Sequence, residues 1–485
     1  MIQLTIGNTW SSIDQFTPRE MNNIGAALQR NLTVDVPGAK YLWAFKSGEW
    51  DGKVRLFKVN DLGGFQFLSG LAPLVYGVLD GDFDLNIVDG RNLIQPQLRQ
   101  YTAPLRPYQH EVLSAAFSNT LGGVWWPRGI LHVATGGGKT EIAVAMYQSY
   151  PVPTFFLVHR KDLLLQAQKR FEKYGISPGI IGAGIFKPDP HLNIATTQTV
   201  LSILKKEDER TAQTKALIEG ASQVFFDESH IMAASQDKGN QFMEVGGWFK
   251  NAHARWGLTA TPFMRSQYDN FLLEGVTGSV LAQVSSAWLI KNGYLVPPKI
   301  KFIKVPGKLP VKVEFGRSNK AKAEHWRKVQ MKGITCNSWR NKKIAAEIVA
   351  GPHPCLVLVK HVEQAKEITN GFTFGFNVPV LTGKSSLSER EQAVWDLQSG
   401  KLKAVITTLW DEGVDIPEIR KVIMASGGKS QVKLLQRVGR GVRVAANKKE
   451  VEIIDFGDQH NPMLRRHALE RIRVWKQEGF EVTEA

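Results

Sequence analysis

Residues 129–150 read GILHVATGGGKTEIAVAMYQSY. A short apolar run, Ile130 to Val133, meets three consecutive glycines and then a stretch of helical period, so the chain passes from strand to helix across a bare backbone. In that setting the N–H groups of Thr135, Gly136, Gly137 and Gly138 can close on phosphate oxygens, whose charge the helix N-terminus favours. Lys139 then reaches the β- and γ-oxygens, and the Thr140 hydroxyl can ligate magnesium. The pattern is that of a P-loop in its looser form, because Val133 stands where the strict form has glycine. A purely structural glycine turn is the competing reading.

The alternation recurs downstream at 154–171 (TFFLVHRKDLLLQAQKRF), 191–204 (HLNIATTQTVLSIL) and 221–230 (ASQVFFDESH). A second series runs through 354–369, 378–397 and 403–417 and closes on VEIIDFGD at 451–458. Repeated βα units of this kind build parallel sheets whose sites lie at the strands' carboxyl ends. The expected architecture is α/β, with one such domain at 101–298 and a second at 333–460. Between them, 299–332 is rich in Lys, Pro and Gly and reads as a basic linker or excursion. Its bases either line a nucleic-acid channel or solvate a loop. The first hundred residues, with β-like runs YLWAF, KVRLF and FQFLSG between Gly and Asp turns, read as a separate small α+β domain, and 461–485 as a helical tail.

A chain of 485 residues is too long for one ordinary core and accommodates about three domains. With 43% hydrophobic and 22% charged residues it has a globular composition, and no apolar run approaches the roughly 18 residues that span a bilayer. The opening MIQLTIGNTWSS lacks the basic and apolar regions of a secretory signal, and two cysteines, Cys336 and Cys355, exclude a disulfide framework. A cytoplasmic location without membrane partners is the expectation. A net charge of +16 makes nucleic acid the leading partner, with a solubility role for the excess charge as the alternative.

Two further stretches carry chemistry. Asp227-Glu228-Ser229-His230 ends the apolar run Val224-Phe225-Phe226. A carboxylate at a strand tip can hold magnesium while its neighbour polarises the attacking water, so Asp227 is read as the metal residue and Glu228 as the water-orienting one. His230 either couples this loop to the next motif or is a satisfied structural histidine. In QVKLLQRVGRGVRV, a helix is expected to put Arg440 and Arg443 on one face, where they can meet a phosphate cluster as arginine fingers.

In this order, the motifs between about 104 and 460 resemble those of a superfamily 2 helicase motor, which implies two tandem RecA-like domains, ATP and Mg2+. The resemblance makes Arg106 and Gln109 of LRPYQ adenine-side residues, and Gln436 a partner of Arg440 and Arg443 in catalysis. It gives Arg160, Thr199, Lys360, Thr382 and Gly383 contacts to the nucleic-acid backbone, Thr259 and Thr261 of TATP the coupling of hydrolysis to movement, and Gly413 and Asp415 the ribose side. DESH is neither DEAD nor DECH, which argues against RNA unwinding, and no nuclease motif of a restriction subunit is evident.

YLWAFKSGEWDGKVRLF, at 41–57, resembles the N-terminal segment of phage recombination helicases of the UvsW type. Trp50 offers a stacking face or packs a small core, Asp51-Gly52 makes a hairpin turn, and Lys53 and Arg55 alternate on one strand face within reach of phosphates. The family implies a monomeric motor, 3′ to 5′, that remodels forks, D-loops and Holliday junctions beside recombination or replication proteins in a host bacterial cytoplasm. An RNA helicase, a translocase that does not unwind and an ATP-switched binding module are the rivals.

Overall fold

The computed structural model describes residues 2–36, 38–91, 93–94, 97–232, 241–261, 266–307, 319–409, 416–428, 439 and 441–484. The chain divides into two compact units, one of residues 1–134 and 138–284, the other of 135–137 and 285–485.

The first unit is built on an eight-stranded sheet. From one edge its strands are Ile185–Lys187, Gly179–Gly182, Leu192–Thr196, Thr154–Val158, Gln223–Asp227, Ala254–Thr259, Arg128–Val133 and Val280–Val284. All neighbours are parallel except the antiparallel edge pair 179–182 and 185–187. Thr154–Val158, Leu192–Thr196 and Ala254–Thr259 are buried throughout, as continuous apolar runs in a sheet covered on both faces must be.

A five-stranded sheet precedes it, in the order Phe57–Val59, Phe65–Leu68, Trp10–Asp14, Ile2–Ile6, Leu85–Asp89. This N-terminal part has its own sheet and a core that continues into the motor part. Ile2, Leu4, Ile13, Phe67 and Val75 pack in one cluster with Leu121, Trp126 and Leu272 of the motor part. Gly70 lies so close to the end of the helix Gln267–Val276 that a Cβ there would stand 1.9 Å from the Glu274 carbonyl oxygen. The run YLWAF is also not a strand: a 3-10 turn at Ala39–Tyr41 leads into a helical turn at Trp43–Lys46.

Two buried arginines tie these parts together. Arg128 and Arg255 are neighbours across adjacent strands. The Arg128 guanidinium donates to Thr277 O at 2.9 Å, Val276 O at 2.8 Å and Asn8 O at 2.9 Å. Arg255 donates to Ala252 O and Gly246 O, each at 3.0 Å, and to Thr9 Oγ1 at 3.1 Å. Burial lowers both from the ordinary arginine range, Arg128 further through the neighbouring Arg255 and Arg91 charges, and Arg255 to about 10.

The second unit holds a seven-stranded sheet of parallel neighbours, ordered Val380–Leu381, Ala404–Thr407, Cys355–Leu358, Lys421–Ile423, Val451–Gly457, Pro298–Lys304, Glu481–Glu484. Pro298–Lys304 was expected to open a linker. Instead PKIKFIK alternates buried and exposed positions and pairs along its whole length with Val451–Gly457, because Ile300 and Phe302 need a core and the lysines between them do not. The tail at 461–485 is likewise more than a helix: Pro462–Gln477 is followed by the edge strand Glu481–Glu484, paired with 298–304. Of the rest of the expected linker, 308–318 lies outside the described residues. No described helix is long and apolar enough to cross a membrane.

Two outcomes follow from the buried groups of the first unit. Replacing Arg128 by Met strands three acceptors and replacing Arg255 strands four, the Phe249 carbonyl included, so each variant loses about 3 kcal/mol of stability, read as a lower urea midpoint of the first unfolding transition. His253, fully buried, has Nε2 2.8 Å from the Tyr150 hydroxyl, which itself donates to Ile94 O. Nε2 therefore carries the ring proton, and a second proton would fall on Nδ1, which has no hydrogen-bond partner. Burial, with Arg91 nearby, pushes the His253 pKa down to about 4. Since the unfolded chain takes up this proton first, stability falls as pH drops from about 6.5 to 4, by at most roughly 3 kcal/mol. His253→Gln flattens that slope in pH-dependent denaturation and leaves stability above pH 7 without a pH term from this site.

Candidate active site

The parallel register brings the motif residues of the first unit to one edge. The P-loop follows Arg128–Val133, Asp227 ends Gln223–Asp227, and Thr259 ends Ala254–Thr259. Arg160 and Thr199 follow Thr154–Val158 and Leu192–Thr196. Because strands lie about 4.8 Å apart, the nucleotide residues and the two proposed nucleic-acid residues occupy successive stretches of one edge, with Asp227 and Glu228 between Arg160 and the Thr259 loop.

Gly138, with φ 80° and ψ 41°, caps the helix Lys139–Ser149, and Gly136 also has positive φ, at 84°. This left-handed backbone is what the glycines supply. Gly138 is needed for a second reason: a Cβ there would come 2.2 Å from Gln109 Nε2. Gln109 is buried, with its Oε1 accepting from the Arg106 N–H at 2.8 Å, which fixes the amide against the P-loop. Gln109 thus meets the P-loop directly, while Arg106 supplies the backbone donor at the start of the helix Pro107–Phe117.

Lys139 Nζ lies 3.5 Å from Val133 O and 3.6 Å from Glu228 Oε1. Thr135 Oγ1 and Glu228 Oε2 are buried without a hydrogen-bond partner. Burial raises the Asp227 pKa, and the adjacent Glu228 charge adds to this, while Lys139 and His159 oppose it. A half-buried carboxylate at a strand tip, Asp227, and a hydroxyl in the first turn of the helix Lys139–Ser149, Thr140, are hard oxygen donors of the kind that suit Mg2+, which is commonly held by one or two protein oxygens together with substrate phosphates. Consistent with that sparse ligation, no group of three or more His, Cys, Asp or Glu that could hold a metal stands together among the described residues.

Glu228 adopts φ 46°, a left-handed backbone at a non-glycine residue. From it a continuous path leaves the site. Glu228 Oε2 is 3.5 Å from His230 Nδ1, His230 Nδ1 is 2.7 Å from Thr259 Oγ1, and Thr259 Oγ1 accepts the Thr261 N–H at 3.1 Å. His230, Thr259 and Thr261 are all buried. His230 thus lies between DESH and TAT, a placement that fits both a coupling and a structural histidine; Pro262 lies outside the described residues.

The candidate nucleic-acid residues stand on different elements: Arg160 just before a helix, Thr199 in the first turn of the helix Thr197–Leu204, and Lys53 and Arg55 on a strand. Arg160 pairs with Asp162 at 3.3 Å, and Thr199 Oγ1 accepts from Thr196 Oγ1 at 2.7 Å. In the second unit, Lys360 donates to Gln330 Oε1 at 2.8 Å, and the Thr382–Ser385 turn leaves Gly383 exposed. Trp50 is half-buried and donates Nε1 to Lys53 O at 2.7 Å. Lys53 and Arg55 are exposed on one strand, with Arg55 paired to Asp51 at 2.8 Å. Gly413, Asp415, Gln436 and Arg440 lie outside the described residues. Arg443 is not on a helix: it forms an antiparallel bridge with Leu295, and Val442 O accepts from Val296 N–H at 2.7 Å. The glycines at 439 and 441 and the β-branched Val442 and Val444 oppose the expected helix.

Lys448 carried no signal in the sequence. Its buried ammonium donates to Pro417 O at 2.7 Å, Gly441 O at 2.5 Å and Arg443 O at 2.9 Å, so it fixes the backbone that carries Arg443. Burial and the neighbouring Arg420 bring its pKa down to about 7.

Residues 102–264 match the family described as "Type III restriction enzyme, res subunit", and 340–445 match "Helicase conserved C-terminal domain". Putative helicase 22 of Sulfolobus islandicus filamentous virus is 28% identical over 441 residues, which cover 87% of this chain and 76% of the relative. The ATP-dependent DNA helicase uvsW of Enterobacteria phage T4 is 22% identical over 507 residues, covering 93% of each chain. A solved fragment of a putative HsdR subunit of a type I restriction enzyme from Vibrio vulnificus shares the fold, with TM-score 0.56 at 18% identity over 80% of this chain and 69% of that one.

Gly138→Ala forces an alanine into left-handed backbone at a cost of about 1–2 kcal/mol and displaces Gln109, so nucleotide affinity falls roughly 5- to 30-fold. Titration with a fluorescent ATP analogue measures it. Unchanged affinity would mean that this conformation is not the one that binds phosphate.

Proposed function

We propose, from the premise that this chain is a superfamily 2 helicase similar to the UvsW type, that it is an ATP-driven DNA translocase that remodels branched DNA. The observation that carries this reading is the path from Lys139 through Glu228, His230 and Thr259 to Thr261, on the same sheet edge as Arg160 and Thr199. Such a path joins the phosphate-binding loop to the ends of the two strands next to it, and the Asp227–Glu228 end in turn neighbours the strand that leads to Arg160.

In this reading the P-loop amides and Lys139 hold the β- and γ-phosphates, and Gln109 faces the base. Bound Mg2+, held by Thr140 and Asp227, supplies charge neutralisation at the transferred phosphoryl group. Glu228 orients the attacking water. Loss of the γ-phosphate relieves Lys139 of its anionic partner and returns it toward Glu228, and the change in charge at Glu228 reaches Thr259 and Thr261 through His230. Arg440 and Arg443 stabilise the developing charge, with Gln436 beside them. Gly413 and Asp415 close on the ribose, and Lys360, Thr382 and Gly383 hold the strand backbone in the second domain. The direction is 3′ to 5′ by family analogy, and the substrates are forks, D-loops and four-way junctions of recombination and repair.

The test uses purified chain on single strand, plain duplex, fork and mobile four-way junction, each in DNA and RNA form. The expected result is turnover and strand products strongest on DNA forks and junctions. Lys139→Ala loses turnover by roughly 10³-fold or more while DNA binding persists. Equal activity on RNA duplexes gives the RNA-helicase reading instead, and binding without products on any branched DNA sinks remodelling.

A further inference from the structure

Among the described residues the two most exposed aromatic side chains are Tyr41, at 73%, and Trp43, at 71%. They stand two residues apart on a tip, and nothing in the fold requires them there: they bury little and exposed large rings in proximity mark binding surfaces. The tip is fixed from beneath. Val36 N–H donates to Gly52 O at 2.9 Å, and Trp50 N–H donates to Ala44 O at 3.0 Å. Phe45 lies so close over Gly52 that a Cβ there would be 2.9 Å from its ring carbons. Trp50, whose indole is tied to Lys53 O, is a clamp of this tip and not its free face.

The surround is basic. Lys40, Lys46 and Lys53 are exposed, and Lys40 Nζ lies 5.3 Å from the Tyr41 ring centroid. Arg55 neutralises Asp51 at 2.8 Å, leaving Glu49 as the other acid of the segment. Rigid rings flanked by ammonium groups are what unpaired nucleic acid takes: stacking accepts any base, and lysines follow the backbone. A net charge of +16 on the chain points the same way.

We infer that Tyr41 and Trp43 form a stacking platform for unpaired DNA bases at a branch point, with Lys40, Lys46 and Lys53 on the adjoining phosphates. This rests on the branched-DNA reading above and assigns its grip to residues other than Trp50 and Arg55. Because both rings face solvent, their replacement removes no core contact.

Anisotropy titrations of the full chain, without nucleotide, test this on a DNA fork with unpaired arms and on the same fork with abasic arms. The expected result is that the pair Tyr41→Ala and Trp43→Ala weakens binding to the normal fork about tenfold or more. The pair Tyr41→Phe and Trp43→Phe stays near wild type, and abasic arms weaken wild type but not the alanine pair. Lys40→Ala with Lys46→Ala lowers the salt slope by about two. Wild-type fork binding by the alanine pair overturns the inference, as does equal loss on normal and abasic forks. A change in sedimentation of the DNA-free alanine pair makes the tip a protein contact instead. If the alanine pair binds forks normally while Lys139→Ala abolishes remodelling, the platform falls and the motor reading stands; if the wild-type chain binds no fork, the motor reading itself falls.

Discussion

The two guanidinium groups buried at the foot of the first sheet set the frame for everything above them. Arg128 and Arg255 begin adjacent strands, and the far ends of those strands carry the P-loop and Thr259. Each strand is six residues long, about 20 Å of extended chain. With both feet held by carbonyls and by the Asn8–Thr9 turn, relative sliding of the strands would break several charge-assisted hydrogen bonds at once. Any displacement between the phosphate loop and the Thr259 loop is therefore confined to the loops, where the Glu228–His230–Thr259 contacts are found.

The second unit uses the same device with carboxylates added. Arg340 donates to Asp458 at 3.0 Å, and Arg471 donates to Asp455 at 2.9 Å and to Gly428 O at 2.7 Å. Trp475 also reaches Asp455. The network fixes the loop after Lys421–Ile423 on the helix Pro462–Gln477. Burying such charges gains little net stability over an apolar core, but leaves few alternative packings for that loop. Lys448 fixes the neighbouring backbone at Gly441 and Arg443. In both units buried cations hold backbone carbonyls in place, alone in the first and together with carboxylates in the second.

Legibility tracked local pattern. The P-loop, DESH and TAT were readable because each lies at a strand-to-turn junction, where composition changes sharply. The sheet order was not, since it depends on which apolar runs meet. PKIKFIK hides its strand because lysines and a proline mask the alternation, and 481–484 hides its own because four residues give no period. Arg443 is not helical because two glycines and the β-branched valines around it outweigh the three-residue spacing of Arg440 and Arg443. Arg128, Arg255 and Lys448 look like ordinary surface bases in sequence; only the fold shows them buried. YLWAF was read as a strand by its aromatics, although Gly38, Lys40 and Lys46 around it favour a turn.

The shared core beneath Trp126 and Leu272 has a mechanical meaning. A grip on a flexible tether can lag behind an engine, and slack absorbs the stroke. Here the N-terminal core runs on to Leu121, Trp126 and Leu272, and Arg128 and Arg255 at the foot of the phosphate-loop sheet bond to Asn8 and Thr9, so the N-terminal part is held to that sheet without a tether. On the function proposed above, a DNA branch gripped by the N-terminal part and by the Arg160–Thr199 edge has no slack to take up and must fit the spacing by its own geometry.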